Sequence, residues 1–212
     1  MTDVSLIIPV FNRQKYINRC VRSALSQIVD FEYEVIIVDD GSTPNIKEVL
    51  SKSLIEKIKI IRHKKNLGLP AALNSGIRNS SGMYISRLDS DDYISQHYLN
   101  VLKLGLENSS KKYFVKCDYT IVKSNSSEVV SSIEYPIGCG VMFRSEQLYD
   151  IGLYNENMKM AEDEDLEKRL KLKGYEPLHV PIPLYRYVKH NNNMSNNTKL
   201  YDFYKEKIQN GS

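Results

Sequence analysis

Clustered aspartates are the residues of this chain whose type and spacing could do chemistry. Asp89 and Asp91 stand two residues apart in the segment 89–92, and Asp39 and Asp40 are adjacent. In an extended backbone, residues two apart point the same way at roughly 6–7 Å, so Asp89 and Asp91 would face one site. Two carboxylates so placed repel each other unless a cation lies beside them. Mg²⁺ and Mn²⁺ use a few such hard oxygen ligands when phosphate oxygens complete the shell.

A metal–diphosphate complex is therefore the natural ligand of the segment 89–92. The alternative is that acidic residues after a strand only cap the following helix, and Asp92 fits that interpretation. For Asp39 and Asp40 the choice lies between capping and a hydrogen bond from a nucleotide base imide or a ribose hydroxyl. Paired aspartates also mark phospho-acceptor receiver domains, but there they close the first strand, and here they close the second.

Acidic side chains also crowd the first turn of a predicted helix over residues 162–173. Glu162, Asp163 and Asp165 lie in that turn, and Leu166 and Leu170 give the helix an apolar side. From the residues alone the simpler interpretation is a favourable interaction with the helix dipole, of roughly 0.3–1 kcal/mol.

The elements that must position these residues follow from the hydrophobic pattern. Strand candidates cover residues 4–10, 33–39, 58–61 and 83–88, and helix candidates cover 14–27 and 70–80. The apolar runs do not alternate inside and outside, so we expect parallel strands buried on both faces, with helices as right-handed crossovers. Ligands of such sheets gather beyond the carboxyl ends of the strands, where the aspartates stand.

The later part of the chain predicts a mixed α+β pattern. Its candidates are a helix near 95–108, a strand at 113–122, a Ser-rich stretch at 124–132, a glycine-flanked run at 138–143, the helix 162–173 and a strand around 178–188. The Asn-rich segment 190–197 predicts a mobile loop, and 198–208 a terminal helix.

Composition limits the class of protein. The 212 residues are 42% hydrophobic and 26% charged, enough for one sizeable core. A net charge of +3 is too balanced for a protein that binds nucleic acid by neutralising phosphates, so we expect no nucleic-acid partner. Cys20, Cys117 and Cys139 are too few and too scattered for a disulfide framework. With no apolar run near the roughly 20 residues that span a bilayer, we expect a cytoplasmic protein.

Five segments in series resemble the family 2 glycosyltransferases with the GT-A fold. They are SLIIPVFNR (5–13), VIIVDDGS (35–42), NLGLPAALNSGI (66–77), RLDSDD (87–92) and AEDEDL (161–166). The resemblance covers about residues 4–190, and although each motif is weak alone, the series is specific. It implies a single α/β domain, 1–212. Its parts would be a Rossmann-like nucleotide-sugar-binding half with a mostly parallel sheet (1–92), a mixed α+β acceptor-binding half (93–190), and a C-terminal loop and helix (191–212).

Carried over by position, the resemblance implies a nucleotide-sugar site. The residues expected to hold the base are Pro9, Phe11, Asn12 and Asp40, and those expected to line the sugar pocket are Asn66, Gly68 and Asn74. Asp91 would ligate Mn²⁺ or Mg²⁺ with Asp89 beside it, at the metal and ribose site. Asp163 would be the catalytic base, supported by Glu162. Gly140 would let the backbone approach the sugar, although a bulge or tight turn explains this glycine equally well.

Two departures from the family pattern affect the site. Family members often carry Arg where this chain has Leu73, so we expect Arg78 or Arg87 to contact the diphosphate instead. The segment 185–195 resembles the family's Tyr-Arg-x-His loop only loosely. In it His190 is a candidate ligand of the metal or the diphosphate, with a solvated loop histidine as the alternative.

The function implied is inverting transfer of a sugar from a nucleotide diphosphate sugar, expected to be UDP-linked, to a hydroxyl of a saccharide or glycolipid acceptor. Such a role belongs to cell-surface polysaccharide or glycoconjugate biosynthesis, with peripheral contact at the inner face of the membrane. One alternative is a catalytically inactive nucleotide-sugar-binding module. Another is a nucleotidyltransferase that makes sugar nucleotides, although its Gly-rich phosphate loop is missing after the first strand.

Overall fold

The computed structural model describes residues 2–123 and 138–210, and these form one eight-stranded sheet with helices on both faces. The strands are β1 (Val4–Val10), β2 (Tyr33–Asp39), β3 (Lys59–Arg62), β4 (Tyr84–Arg87), β5 (Tyr93–Ile94), β6 (Tyr113–Lys123), β7 (Val141–Arg144) and β8 (Glu176–Lys189). The helices are α1 (Ile17–Leu25), α2 (Ile46–Val49), α3 (Lys52–Ile55), α4 (Leu69–Arg78), α5 (Tyr98–Glu107), α6 (Ser145–Asp150), α7 (Glu162–Leu172) and α8 (Thr198–Asn210).

The first half of the chain forms the expected parallel sheet. Its strands lie in the order β3-β2-β1-β4. β1 pairs in parallel with β2 on one side and β4 on the other, and β2 pairs in parallel with β3. The carboxyl ends of these strands therefore meet at one edge, as the Rossmann-like prediction requires.

The second half continues the same sheet with mixed strand directions. β7 is antiparallel to both β4 and β6, β8 runs parallel to β6, and the short β5 closes the edge antiparallel to β8. The predicted mixed α+β half is thus confirmed. The predicted Ser-rich stretch at 124–132 lies outside the described residues.

Two hydrophobic clusters lie on opposite faces of the sheet. Leu6 and Ile8 of β1 belong to the cluster with α1 and α5, whereas Ile7 belongs to the cluster with α4 and α7. Each of these three side chains is at most 1% exposed, so β1 is buried on both faces. This explains why its sequence is a continuous apolar run rather than an alternating one.

The segment that follows β8, expected as a loop, contains a short 3₁₀ turn. This turn covers Met194–Asn196, and the side-chain amide of Asn196 donates to the carbonyls of His190 (3.2 Å) and Asn191 (2.9 Å). Asparagine side chains thus satisfy backbone carbonyls of this segment locally. α8 then packs through Tyr204 against Met158 and its neighbours.

Within residues 2–123 and 138–210, every helix is too short or too polar to cross a bilayer.

Candidate functional site

A cavity of about 1270 Å³ opens where β1, β2 and β4 end. Nine of the predicted base, sugar, metal and catalytic residues line it: Pro9, Phe11, Asp40, Asn66, Gly68, Asp89, Asp91, Glu162 and Asp163. The first seven come from the first half of the chain and the last two from α7. The cavity therefore brings together both acidic groups that the sequence singled out.

Asp40 fixes the loop that forms one wall. Its carboxylate accepts hydrogen bonds from the backbone N–H groups of Leu67 (2.9 Å) and Gly68 (2.9 Å). Nδ1 of His63 lies 2.7 Å from the same carboxylate, and Nε2 of His63 lies 2.9 Å from the hydroxyl of Ser75. A carboxylate offers about four acceptor positions, so these three contacts leave one of them.

Asp39 is a structural residue. It is fully buried, accepts from the backbone N–H of Ser42 at 2.9 Å and forms an ion pair with Arg62. Asp39 thus fixes the loop after β2, whereas its neighbour Asp40 lines the cavity.

The segment 89–92 is a turn and not an extended strand end. The N–H of Asp92 donates to the carbonyl of Asp89 at 3.0 Å. The extended-backbone argument for Asp89 and Asp91 is therefore wrong, although both carboxylates still line the cavity. The turn forms because β4 must stop here so that the chain can cross towards β5.

Asp92 does not cap a helix, contrary to the sequence interpretation. Its carboxylate accepts from the hydroxyl of Tyr185 (2.8 Å) and the N–H of Val188 (2.7 Å), which ties the turn to β8. Burial raises the pKa of Asp92 well above its usual range, and the nearby carboxylates of Asp91 and Asp89 raise it further. Asp92 is thus a buried anchor for the turn.

Arg87 joins the two acidic groups. Its guanidinium donates to both oxygens of Asp89 (2.7 and 3.2 Å) and to Glu162 (2.9 Å). Burial alone would lower the pKa of Arg87, but the carboxylates of Asp89 and Glu162 raise it, so the group stays charged. The fork geometry of arginine suits this bridge, which links the end of β4 to the first residue of α7.

Glu162 and Asp163 begin α7 in different surroundings. Glu162 is buried, and burial raises the pKa of its carboxyl despite the opposing effect of Arg87. Asp163 lies against the backbone of Gly138, where an added Cβ would come within 1.9 Å of Oδ2 of Asp163. A glycine at position 138 is therefore required by the carboxylate of Asp163.

Asp91 is held by residues from both ends of the chain. Nε of Arg13 lies 3.1 Å and Nε2 of His190 lies 3.0 Å from its Oδ2. The His190 ring stacks on Tyr16 at 4.8 Å, and its Nδ1 accepts from the N–H of Asn192 at 3.2 Å. This pattern assigns the ring proton to Nε2, which donates to Asp91.

Asp91 and His190 are the donors that suit a divalent cation best. A carboxylate oxygen and an imidazole nitrogen lie together at 3.0 Å, and Mn²⁺ or Mg²⁺ binds such groups when phosphate and water fill the remaining positions. Because Nε2 of His190 donates its proton to Asp91 in this structure, Asp91 is the ligand in this arrangement and His190 holds its carboxylate in place.

A second group of ligand atoms fits these cations poorly. Atoms of Asp89, Asp92 and Cys139 lie within 4.8 Å of one another. However, the Asp92 carboxylate is already bonded to β8, and burial raises the pKa of the Cys139 thiol well above its usual range. A protonated thiol is a soft and weak donor, so the group does not suit Mg²⁺ or Mn²⁺.

Several predicted site residues do not line the cavity. The side chain of Asn12 accepts from the N–H of Thr43 at 2.9 Å, which fixes the loop after β1. The Asn74 amide is saturated by contacts to Tyr154 and Glu156, so it holds a neighbouring loop instead of facing the sugar pocket. Both asparagines therefore differ from what the family resemblance implied, because each is bonded to partners in its own surroundings.

Gly140 and Arg78 also lie outside the wall. Gly140 has φ +74°, and an added Cβ would lie 3.4 Å from Sγ of Cys117, so a turn explains this glycine. Arg78 is exposed and pairs with Glu156 at 3.3 Å. Arg87 does line the cavity, but its hydrogen bonds to carboxylates leave it little capacity for a diphosphate.

Sequence reasoning missed residues that the fold brings to the cavity. Arg13 is the last residue of the motif SLIIPVFNR, and its position two residues after Phe11 was an available signal. Lys116 lies on β6 and pairs with Glu167 of α7 at 2.8 Å. Nothing local in the sequence connects Lys116 to Glu167, because the pair forms only when α7 packs against β6.

The chain belongs to glycosyl transferase family 2, whose family model matches residues 5–169. An uncharacterized glycosyltransferase of Rickettsia felis is 33% identical over 180 residues, which cover 76% of this chain and 29% of that protein. A chondroitin synthase of Pasteurella multocida is 36% identical over 137 residues, covering 63% of this chain and 14% of the synthase. The chain thus spans under a third of the length of these two relatives.

Solved structures share the fold. S. aureus TarS 1–349 in complex with UDP-GlcNAc superposes with a TM-score of 0.76 at 24% identity, covering 91% of this chain and 60% of that one. The mannosyltransferase PcManGT of Pyrobaculum calidifontis, in complex with GDP-Man and Mn²⁺, gives 0.71 at 17% identity, covering 89% and 57%. The GT-A-type fold expected from the sequence is confirmed by these likenesses.

Proposed function

We propose that this protein transfers a sugar from a nucleotide diphosphate sugar to a hydroxyl of a saccharide or glycolipid acceptor, with inversion at the anomeric carbon. The observation that carries the proposal is that Asp89 and Asp91 share one cavity with Glu162 and Asp163. One acidic group suits the cation and diphosphate of a donor, and the other suits proton removal from an acceptor.

The donor would bind at the ends of β1 and β2. Phe11 is 42% exposed at the cavity wall, where its ring can stack on a base. The remaining acceptor position of Asp40 matches a base imide N–H. UDP fits that requirement and is our first choice of donor nucleotide. The TarS complex with UDP-GlcNAc supports this choice through its similar fold.

Asp163 would act as the general base. Its carboxylate lines the cavity at the start of α7, where it can accept the proton of the attacking hydroxyl. Glu162 and Arg87 fix the beginning of that helix through their 2.9 Å hydrogen bond. Asp91, with Asp89 and His190 nearby, would hold Mn²⁺ or Mg²⁺, which supplies Lewis-acid stabilisation of the leaving diphosphate when bound.

The variant Asp163→Asn tests this role. We expect turnover to fall about 10²–10⁴-fold, the usual contribution of a general base, while UDP affinity stays within error of wild type. Transfer and donor hydrolysis would be followed with a panel of UDP- and GDP-sugars and a set of saccharide acceptors. Asp165→Asn is the matched control, because Asp165 lies in the same turn but pairs with Arg169 at 2.8 Å.

Equal turnover in Asp163→Asn and wild type would contradict the base assignment. Binding of nucleotide sugars without transfer or hydrolysis by the wild type would favour the inactive binding module instead.

A cytoplasmic location with contact at the inner face of the membrane, in polysaccharide or glycoconjugate biosynthesis, stays a prediction.

A further inference from the structure

Arg13 is one of two side chains that hold Oδ2 of Asp91. Its Nε lies 3.1 Å from Oδ2 of Asp91, and its Nη2 donates to the carbonyl of Asn192 at 3.1 Å. Nη1 of Arg13 makes no hydrogen bond or ion pair with any residue in the described ranges 2–123 and 138–210. Among the described residues, the guanidinium is thus hydrogen-bonded through Nε and Nη2 only.

Both hydrogen-bonding positions of Oδ2 on Asp91 are taken, one by Arg13 and one by His190. A carboxylate oxygen has two lone pairs, so a cation that binds this oxygen must displace one of the two partners. The side chain of His190 is 6% exposed and its ring is held by Tyr16 and Asn192. Arg13, at 23% exposed and on a longer side chain, is the partner that can leave.

A displaced Arg13 would remain in the cavity wall. Arg13 and Arg87 are the arginines among the described residues that line the cavity, and Arg87 already donates to Asp89 and Glu162. An arginine fork binds phosphate oxygens well, and Arg13 follows Phe11, the expected base-stacking residue, by two positions.

We propose that Arg13 is the internal counter-ion of Asp91, that a divalent cation displaces it, and that its guanidinium then contacts the donor diphosphate. This inference depends on the proposed function. It assigns to Arg13 the diphosphate contact that the sequence had assigned to Arg78 or Arg87. It also predicts that removing the charge of Arg13 changes the affinities for Mn²⁺ and for UDP in opposite directions.

The test measures Mn²⁺ alone and UDP with Mn²⁺ on Arg13→Gln. We expect Mn²⁺ to bind the variant more tightly, by about tenfold, because no guanidinium competes for Asp91. We expect UDP at saturating Mn²⁺ to bind more weakly by about the same factor. Free Mn²⁺ is read by electron paramagnetic resonance and UDP by titration calorimetry, so neither readout needs catalysis.

Two further variants sharpen the test. Arg13→Lys keeps the positive charge, so Mn²⁺ affinity should stay near that of wild type. Arg22→Gln removes one charge from an exposed position of α1 and should change neither affinity. If Arg13 had only a structural role, Arg13→Gln would bind both Mn²⁺ and UDP more weakly than wild type.

The outcomes separate the two proposals. If wild type binds UDP and Mn²⁺ and Arg13→Gln binds Mn²⁺ no more tightly, or UDP no more weakly, the inference about Arg13 is wrong and the donor site stands. If wild type binds neither UDP nor any other nucleotide diphosphate, the proposed function fails and this inference fails with it.

Discussion

Gly138 illustrates how a single residue makes room for the proposed base. The carboxylate of Asp163 fills the space that a side chain at position 138 would need. The sequence offered two explanations for the glycines at 138 and 140: close approach of backbone to a sugar, or a bulge or tight turn. At Gly138 the group that comes close is a side chain of the protein itself.

Gly138→Ala should therefore impair catalysis more than stability. The new Cβ would lie 2.3 Å from Cγ of Asp163, so the carboxylate must move. A displacement of this kind at a catalytic group costs about 100-fold in rate. We expect kcat to fall by that order while UDP affinity, measured by calorimetry, is retained.

Gly152→Ala is the matched control for this prediction. Gly152 has φ +79° and open space around an added Cβ. The substitution should lower the free energy of unfolding by about 1–2 kcal/mol through backbone strain and leave kcat unchanged. A Gly138→Ala enzyme with normal kcat would show that the position of Asp163 is not critical.

Residue types at the site were largely predictable, but their roles were less so. Asp40, Asp91 and Asp163, which the family resemblance singled out, all line the cavity, and their roles stay predictions. Asn74 lies outside the cavity lining because its side chain bonds to Tyr154, about eighty positions away. Such a long-range partner leaves no local pattern in the sequence.

At the scale of the element, α7 connects the core to the cavity. Leu166 and Leu170 are buried in the cluster beside α4, and this fixes the helix against the sheet. The same helix carries two glutamates, Glu162 and Glu167, in different environments. Burial raises the pKa of Glu162, with Arg87 opposing and Asp163 adding to the rise. Burial also acts to raise the pKa of Glu167, but hydrogen bonds from Lys116 and Lys171 give a net lowering.

These opposite shifts predict opposite pH dependences of stability. Native Glu162 holds its proton above the usual pKa of 4.5, so it contributes a stability that falls as pH rises from there towards its raised value. Native Glu167 loses its proton below 4.5, so its contribution is present above that pH and is lost as pH falls through its lowered value. Both residues lie on α7, which makes them a matched pair.

The variants Glu162→Gln and Glu167→Gln test the predicted direction of each pH dependence of stability. Urea unfolding between pH 3 and about pH 7 gives the free energy of unfolding of each protein. Relative to wild type, Glu162→Gln should become comparatively more stable as pH rises above 4.5. Glu167→Gln should lose its disadvantage as pH falls below 4.5. Parallel curves for the two variants would contradict the environments described for α7.

At the scale of the whole molecule, the halves of the fold were predictable to different degrees. β1 and β2 were the clearest, because buried parallel strands are largely continuous apolar runs. The direction of β7 and the insertion of β5 at the far edge were not predictable, since strand order depends on long-range packing. The C-terminal turn was expected to be mobile, because clustered asparagines give no periodic signal.

The whole account depends on a donor site in which Asp91 and a divalent cation act together. Titration calorimetry of UDP, with and without Mn²⁺, on wild type and Asp91→Ala tests this most directly. The account predicts that Mn²⁺ strengthens UDP binding to wild type and that Asp91→Ala loses most of this gain. UDP affinities that are the same with and without Mn²⁺ in both proteins would contradict it.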